Sequence, residues 1–223
     1  QVVPPGPRFR DWKRKAPITH SDLTRATGAV VDLLLKELDT SPELYPDLIS
    51  KIDHISPMHR TVVAQRLTRL ADDLEDDDQR ALLFDALRDQ ISRHQEYSDT
   101  EWALPEKELH PLQTACKALE PRDPVRRHAW LFRSSWITLG DIKRRDNFAA
   151  YKAEILARRA AAVGEVLSHG GLGALVALAS TTKQPDLVGT ALAKYSENHD
   201  EEMLSWLESN AVPDRDIAAA YLQ

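Results

Sequence analysis

The chain of 223 residues carries a single cysteine, Cys116. That excludes an intrachain disulfide framework and any cysteine-rich zinc site. Glycine is also scarce, at eight residues, and no stretch alternates apolar with polar residues long enough to make a strand. The fold class expected is therefore all-α. No apolar run approaches the roughly 20 residues of a bilayer crossing, so no membrane span is expected. None of the eight histidines stands in His-Glu-x-x-His or another short ligand spacing, and neither a metal nor a cofactor is anticipated. A Gly-x-Ser-x-Gly elbow is missing too. The acidic run 72–78 lacks the central glycine and the spaced glutamate of a calcium loop; it reads as a solvated stretch feeding negative charge to the next helix start.

What is present favours packing. Apolar residues make up 42% of the chain and charged residues 29%, the balance of a soluble globular protein. With one cysteine and no signal peptide in view, a cytoplasmic location is expected. The chain begins at Gln1 without a methionine and ends inside an apparent helix at Asp216–Gln223, so it reads as a fragment of a longer protein.

Residues 1–18, with Pro4, Pro5, Pro7 and Pro17, read as an extended arm or linker. From residue 19 to 223 the spacing predicts one helical domain, with sub-units 19–120 and 121–223 as a possible division. Helices are predicted at 21–39, 42–54, 57–75, 79–96, 105–119, 124–132, 146–169, 172–181, 185–196 and 199–209, with Pro213 opening a last one. Ser41-Pro42 and Ser56-Pro57 each set a capping hydroxyl before a proline at the first helical position, where the missing N–H costs nothing. The third helix is expected to bury Met58, Val62, Leu67, Leu70 and Leu74, the fourth Leu83, Leu87 and Ile91. On the fifth, Leu109, Leu112, Cys116 and Leu119 follow helical spacing, making Cys116 a buried thiol. Gly170-Gly171 is read as a left-handed C-cap rather than a phosphate loop, because a helix precedes it and no lysine follows. About nine or ten helices with short loops suggest a right-handed α-solenoid or an irregular stack of antiparallel hairpins.

Charge is unevenly placed. Residues 122–159 hold ten Arg or Lys against four Asp or Glu, although the whole chain sums to −6. The basic block interleaves with tryptophan, and Arg126, Arg127, Trp130, Arg133, Trp136, Lys143, Arg144 and Arg145 form the candidate binding set. Trp and Arg dominate protein interface hot spots; guanidinium groups and aromatics also serve phosphates and bases. A third reading pairs these arginines with acidic segments on either side.

Arg122-Asp123-Pro-Val-Arg-Arg-His128 resembles the arginine-to-histidine motif of the all-α HEPN ribonucleases, which would place Arg122 and His128 at a scissile phosphate. Arg88-Asp89-Gln-Ile-Ser-Arg-His94 matches the same pattern. More broadly, Ser41-Pro-Glu-Leu, Ile52-Asp-His-Ile-Ser-Pro57, Trp102-Ala-Leu-Pro-Glu106 and His128-Ala-Trp-Leu-Phe132 look similar to helical, HEAT- or armadillo-like segments of very large bacterial proteins, and the excess of Arg over Lys fits a GC-rich genome. That resemblance implies a non-catalytic scaffold contacting a protein partner or other domains of its parent chain. The alternative is an RNA-binding module, with or without HEPN-like cleavage.

Overall fold

The computed structural model describes residues 32–33, 35–36, 38, 41, 44–196, 198–208 and 212–223. The arm expected at 1–18 and most of the helix expected at 21–39 lie outside them. Among the described residues there are nine α-helices and no strand, an all-α fold. The chain divides between Glu120 and Pro121 into two compact units.

In the first unit, α1 (Tyr45–Ile49) is followed by a 3-10 turn at Ile52–His54, then α2 (Pro57–Asp73), α3 (Asp77–Glu96) and α4 (Glu106–Ala118). The helix expected over 42–54 is thus one short turn of α-helix and one of 3-10. Leu44 is its N-cap, with no side-chain cap bond and Pro46 in the first turn, while Pro42, expected to open it, lies outside the described residues. The second Ser-Pro pair behaves as its chemistry dictates: Ser56 Oγ accepts from the His59 N–H and Pro57 opens α2. The acidic run becomes a cap, with Asp76 Oδ1 accepting from the Asp78 and Gln79 N–H groups.

Leu83, Leu87, Ile91, Leu109, Leu112, Cys116 and Leu119 are buried in one core with Leu67 and Leu74. The inward stripe of α2 differs from expectation at its start. Met58 is 68% exposed, and Val63, Ala64, Leu67 and Ala71 point inward instead, with Val62 and Leu70 partly buried beside them. The cause is polar: His59 is tied to the Ser56 cap, and Arg60 reaches inward to Glu108 Oε2 at 2.6 Å. Those two positions set the helix rotation.

The second unit holds α5 (Pro124–His128), a 3-10 turn at Ala129–Phe132, α6 (Phe148–Ser180), α7 (Asp186–Tyr195), α8 (Asp200–Leu207) and α9 (Val212–Tyr221). The element expected at 124–132 changes from α to 3-10 midway. Asp123 caps α5 through Val125 N–H, and Asn147 caps α6 through Ala150 N–H. α6 spans the two helices expected at 146–169 and 172–181, and the break between them is present, but not as the left-handed cap expected: Gly170 has φ −146° and ψ 18°, and Gly171 has φ 62° with an extended ψ of −159°.

Taken across that break, α6 bears on the expectation of no membrane span by length and composition only, and does not overturn it. Among the described residues it is the one helix long and apolar enough to cross a membrane, although a third of its most apolar window is buried within the protein. The helix combines many alanines and glycines, and its most apolar window holds at most two charged residues. Its inner residues Ala162, Val163, Val166, Leu175 and Leu178 join Phe132, Val188, Leu192, Met203 and Ile217 in the second core.

Candidate functional site: a basic, aromatic surface on the second unit

The connection from Arg133 to Asn147 is irregular and is anchored at two points. Tyr151 of α6, 1% exposed, donates its hydroxyl hydrogen bond to the Ile137 carbonyl. Arg159, one face further along α6 and 7% exposed, donates to Leu131 O at 2.8 Å and Ser134 O at 2.7 Å. Burial depresses the Arg159 pKa from its ordinary value, so its hydrogen bonds to those carbonyls are what make its position tenable.

On this frame Trp136 is displayed, 55% exposed, stacked on Phe148 with ring centroids 5.7 Å apart. Phe148 is 44% exposed and stacks in turn on Tyr151 at 6.3 Å. Arg144 lies over the Trp136 ring at 5.7 Å and Lys152 over Phe148 at 5.0 Å. The result is a ladder of guanidinium, indole, phenyl and phenol, with an ammonium beside it. Arg133 and Arg145 are exposed nearby, and Lys143 is half-buried. Sequence reasoning missed Phe148, Tyr151 and Lys152. The i, i+3 spacing of Phe148 and Tyr151 on a helix start was the available clue.

The other predicted residues belong elsewhere. Trp130 is partly buried against the second core. Arg126 is half-buried on α5. Arg127 is absorbed structurally, donating to Pro121 O at 3.0 Å, Arg122 O at 3.1 Å and Glu165 Oε1 at 2.5 Å. Arg158 pairs with Asp141 and with Glu154, the latter at 2.6 Å. Several of the cations therefore find acidic partners within the same unit.

No protein-family model, curated protein or solved structure matches this chain. The site must be judged on its own geometry.

That geometry treats the two arginine-to-histidine patterns differently. His94 is fully buried, accepts at Nδ1 from the Leu104 N–H, and has no access to a substrate phosphate. His128 is half-buried and its Nε2 contacts Glu165 Oε2 at 2.8 Å, while Arg122 is exposed just ahead of the Asp123 cap. His128 and Arg127 together hold the Glu165 carboxyl below the usual carboxylate range, the His128 hydrogen bond being the main cause. This is an α5–α6 clasp built around one carboxylate. Among the described residues no group of three His, Cys, Asp or Glu is arranged to hold a metal ion.

Proposed function

We propose that the chain is a non-catalytic helical scaffold that contacts a protein partner through the Trp136–Phe148 surface. The observation that carries this reading is the exposed stack itself. Two large rings stand out of the surface, prearranged by Tyr151 and bracketed by Arg144 and Lys152. Rigid aromatic side chains lose little conformational entropy on association, and aromatic and arginine residues together are enriched among the few that supply most of the energy at protein interfaces. The cations flanking them favour a partner with acidic residues around an apolar centre.

Nucleic acid is the competing occupant, since cations with aromatics also serve single strands. Base stacking needs an open ring face, and here the faces are engaged by neighbouring rings and by the two cations. The protein reading is stronger on that ground.

The test compares wild type with the Arg144→Glu, Arg145→Glu double variant after nuclease treatment. A partner retained by wild type and lost from the double variant supports the proposal. Unchanged retention counts against this surface. Oligouridine binding that falls steeply between about 50 and 200 mM salt, and that the double variant abolishes, would replace it with the RNA reading.

A further inference from the structure

The fourth residue of the inward stripe Leu83, Leu87, Ile91 on α3 is a histidine, His94, at 0% exposure. It sits where the segment 97–105 folds back between α3 and α4. The Leu104 N–H donates to His94 Nδ1 at 3.2 Å, entirely in the interior. A backbone N–H can only donate, so Nδ1 must carry its lone pair, and the neutral ring must hold its proton on Nε2. That Nε2 is buried and has no hydrogen-bond partner among the described residues. Across the ring lies Trp102, centroids 5.5 Å apart, itself 43% exposed and covered by Arg93 at 4.9 Å. Tyr97 completes the patch at 5.5 Å from Trp102.

We infer that His94 is an acid-sensitive latch for segment 97–105: protonating Nδ1 converts the acceptor of the Leu104 N–H into a second donor, breaks that bond, and frees the Trp102 end of the segment. The step is a proton taken from solvent onto Nδ1, with no other bond made or broken covalently. Two donors facing each other in the interior leave both unsatisfied, a state costly enough that the segment must move.

The surroundings keep the latch closed at neutral pH. Burial disfavours the imidazolium most, lowering the pKa from its ordinary 6.5. The charges facing the ring act in opposite directions. Asp53 on the 3-10 turn favours protonation; Arg93 on α3 and Arg60 on α2 oppose it, and Arg60 is held by Glu108 of α4. Since the folded value lies below the unfolded one, closure is fully favoured above about 6.5 and is lost as pH falls through the lowered value.

The test follows the Leu104 amide by hydrogen exchange, expressed as protection relative to an unstructured chain, alongside the His94 ring resonances. In the wild-type chain, protection at Leu104 is expected to drop about tenfold for each pH unit below the His94 titration, while the Leu112 amide, in mid-α4, keeps its protection. His94→Asn supplies a side-chain oxygen near the Nδ1 position that cannot be protonated, and there Leu104 protection should stay level over the same range. The inference is overturned if Leu104 remains protected after the ring has titrated, if the ring does not titrate before global unfolding, or if the Asn variant loses protection in parallel with wild type. Should the Asn variant fail to fold, the wild-type comparison of Leu104 with Leu112 decides alone.

Discussion

Replacing Gly189 with alanine sets two effects of known size against each other. Gly189 is buried in the middle of α7, where alanine is favoured over glycine by about 1 kcal/mol through helix propensity and reduced unfolded-state entropy. Against this, a Cβ at 189 would fall well inside the van der Waals envelope of the Ile217 carbonyl oxygen, 2.9 Å from its carbon and 3.0 Å from Ala220 Cβ. The obstacle is backbone of α9, which cannot rotate away as a side-chain tip would. Relief requires α7 and α9 to separate, unseating Ile217 and Ala218, both fully buried. Overpacking of this kind costs about 1–3 kcal/mol and more where backbone must move, so we expect a net loss of about 2 kcal/mol. Gly173 is the control: its Cβ would meet nothing within 4 Å, and alanine there should stabilise by about 0.5–1 kcal/mol. Gly171→Ala isolates backbone strain, because space is open but φ 62° with ψ −159° is a conformation essentially confined to glycine; it should cost about 1–3 kcal/mol. Urea denaturation followed by far-UV circular dichroism separates the three. With a slope of about 1.5 kcal/mol per M, Gly189→Ala lowers the midpoint by more than about 1 M and Gly173→Ala raises it slightly. A Gly189→Ala protein as stable as wild type would show that α7 and α9 do not approach this closely.

Arg80, 6% exposed, donates to the carbonyls of Ala71, Leu74, Ala118 and Glu120, tying α3 to the ends of α2 and α4. Arg80→Met should cost about 3–4 kcal/mol in denaturant, and Arg80→Lys should recover less than half, since an ammonium lacks the planar fork. Burial pushes the Cys116 thiol up to about 12, so an aromatic disulfide reagent should modify it slowly in the native protein and quickly in urea. Glu165→Gln should lower stability at neutral pH. Because the Glu165 value is depressed below 4.5, that difference is present above 4.5 and should vanish as pH falls through the depressed value, measured as melting temperature against pH.

Helix starts were the most legible feature. Ser56 is expected as a cap and is one; Asp76, Asp123 and Asn147 also cap through a side-chain oxygen without being expected to, although capping depends on a few neighbouring residues that sequence alone displays. The Leu109–Leu112–Cys116–Leu119 stripe was readable for the same local reason. Misreadings arose where tertiary bonds decide. The rotation of α2 depends on Arg60 meeting Glu108, 48 residues away, and periodicity cannot see that partner. The aromatic ladder joins Trp136 in an irregular segment to Phe148 and Tyr151 on a helix, so no single spacing encodes it. Trp130 and Trp136 looked equivalent in sequence, yet one lines the core and the other stands exposed.

The nineteen arginines, against ten lysines, take on a physical meaning once their positions are known. Arg60, Arg80 and Arg159 are all buried, and each stands three residues before an inward apolar residue: Val63, Leu83 and Ala162. These three lie on the buried faces of their helices, within reach of carbonyls near the ends of neighbouring segments, where intrahelical partners run out. An arginine's fork can reach several of them at once, as at Ile52 and Asp53 for Arg60 and at Leu131 and Ser134 for Arg159. Lysine, with one compact charge, cannot. A count of basic residues therefore mixes two populations: arginines that close the interior, and cations such as Arg144, Lys152 and Arg133 on the surface. Local charge in 122–159 overstates the surface available to a partner. The three-residue offset alone does not tell the interior arginines apart, because Arg122 and Arg215 precede buried Val125 and Ala218 by the same three residues and are exposed. What Arg60, Arg80 and Arg159 have besides is a set of carbonyls from another segment within reach.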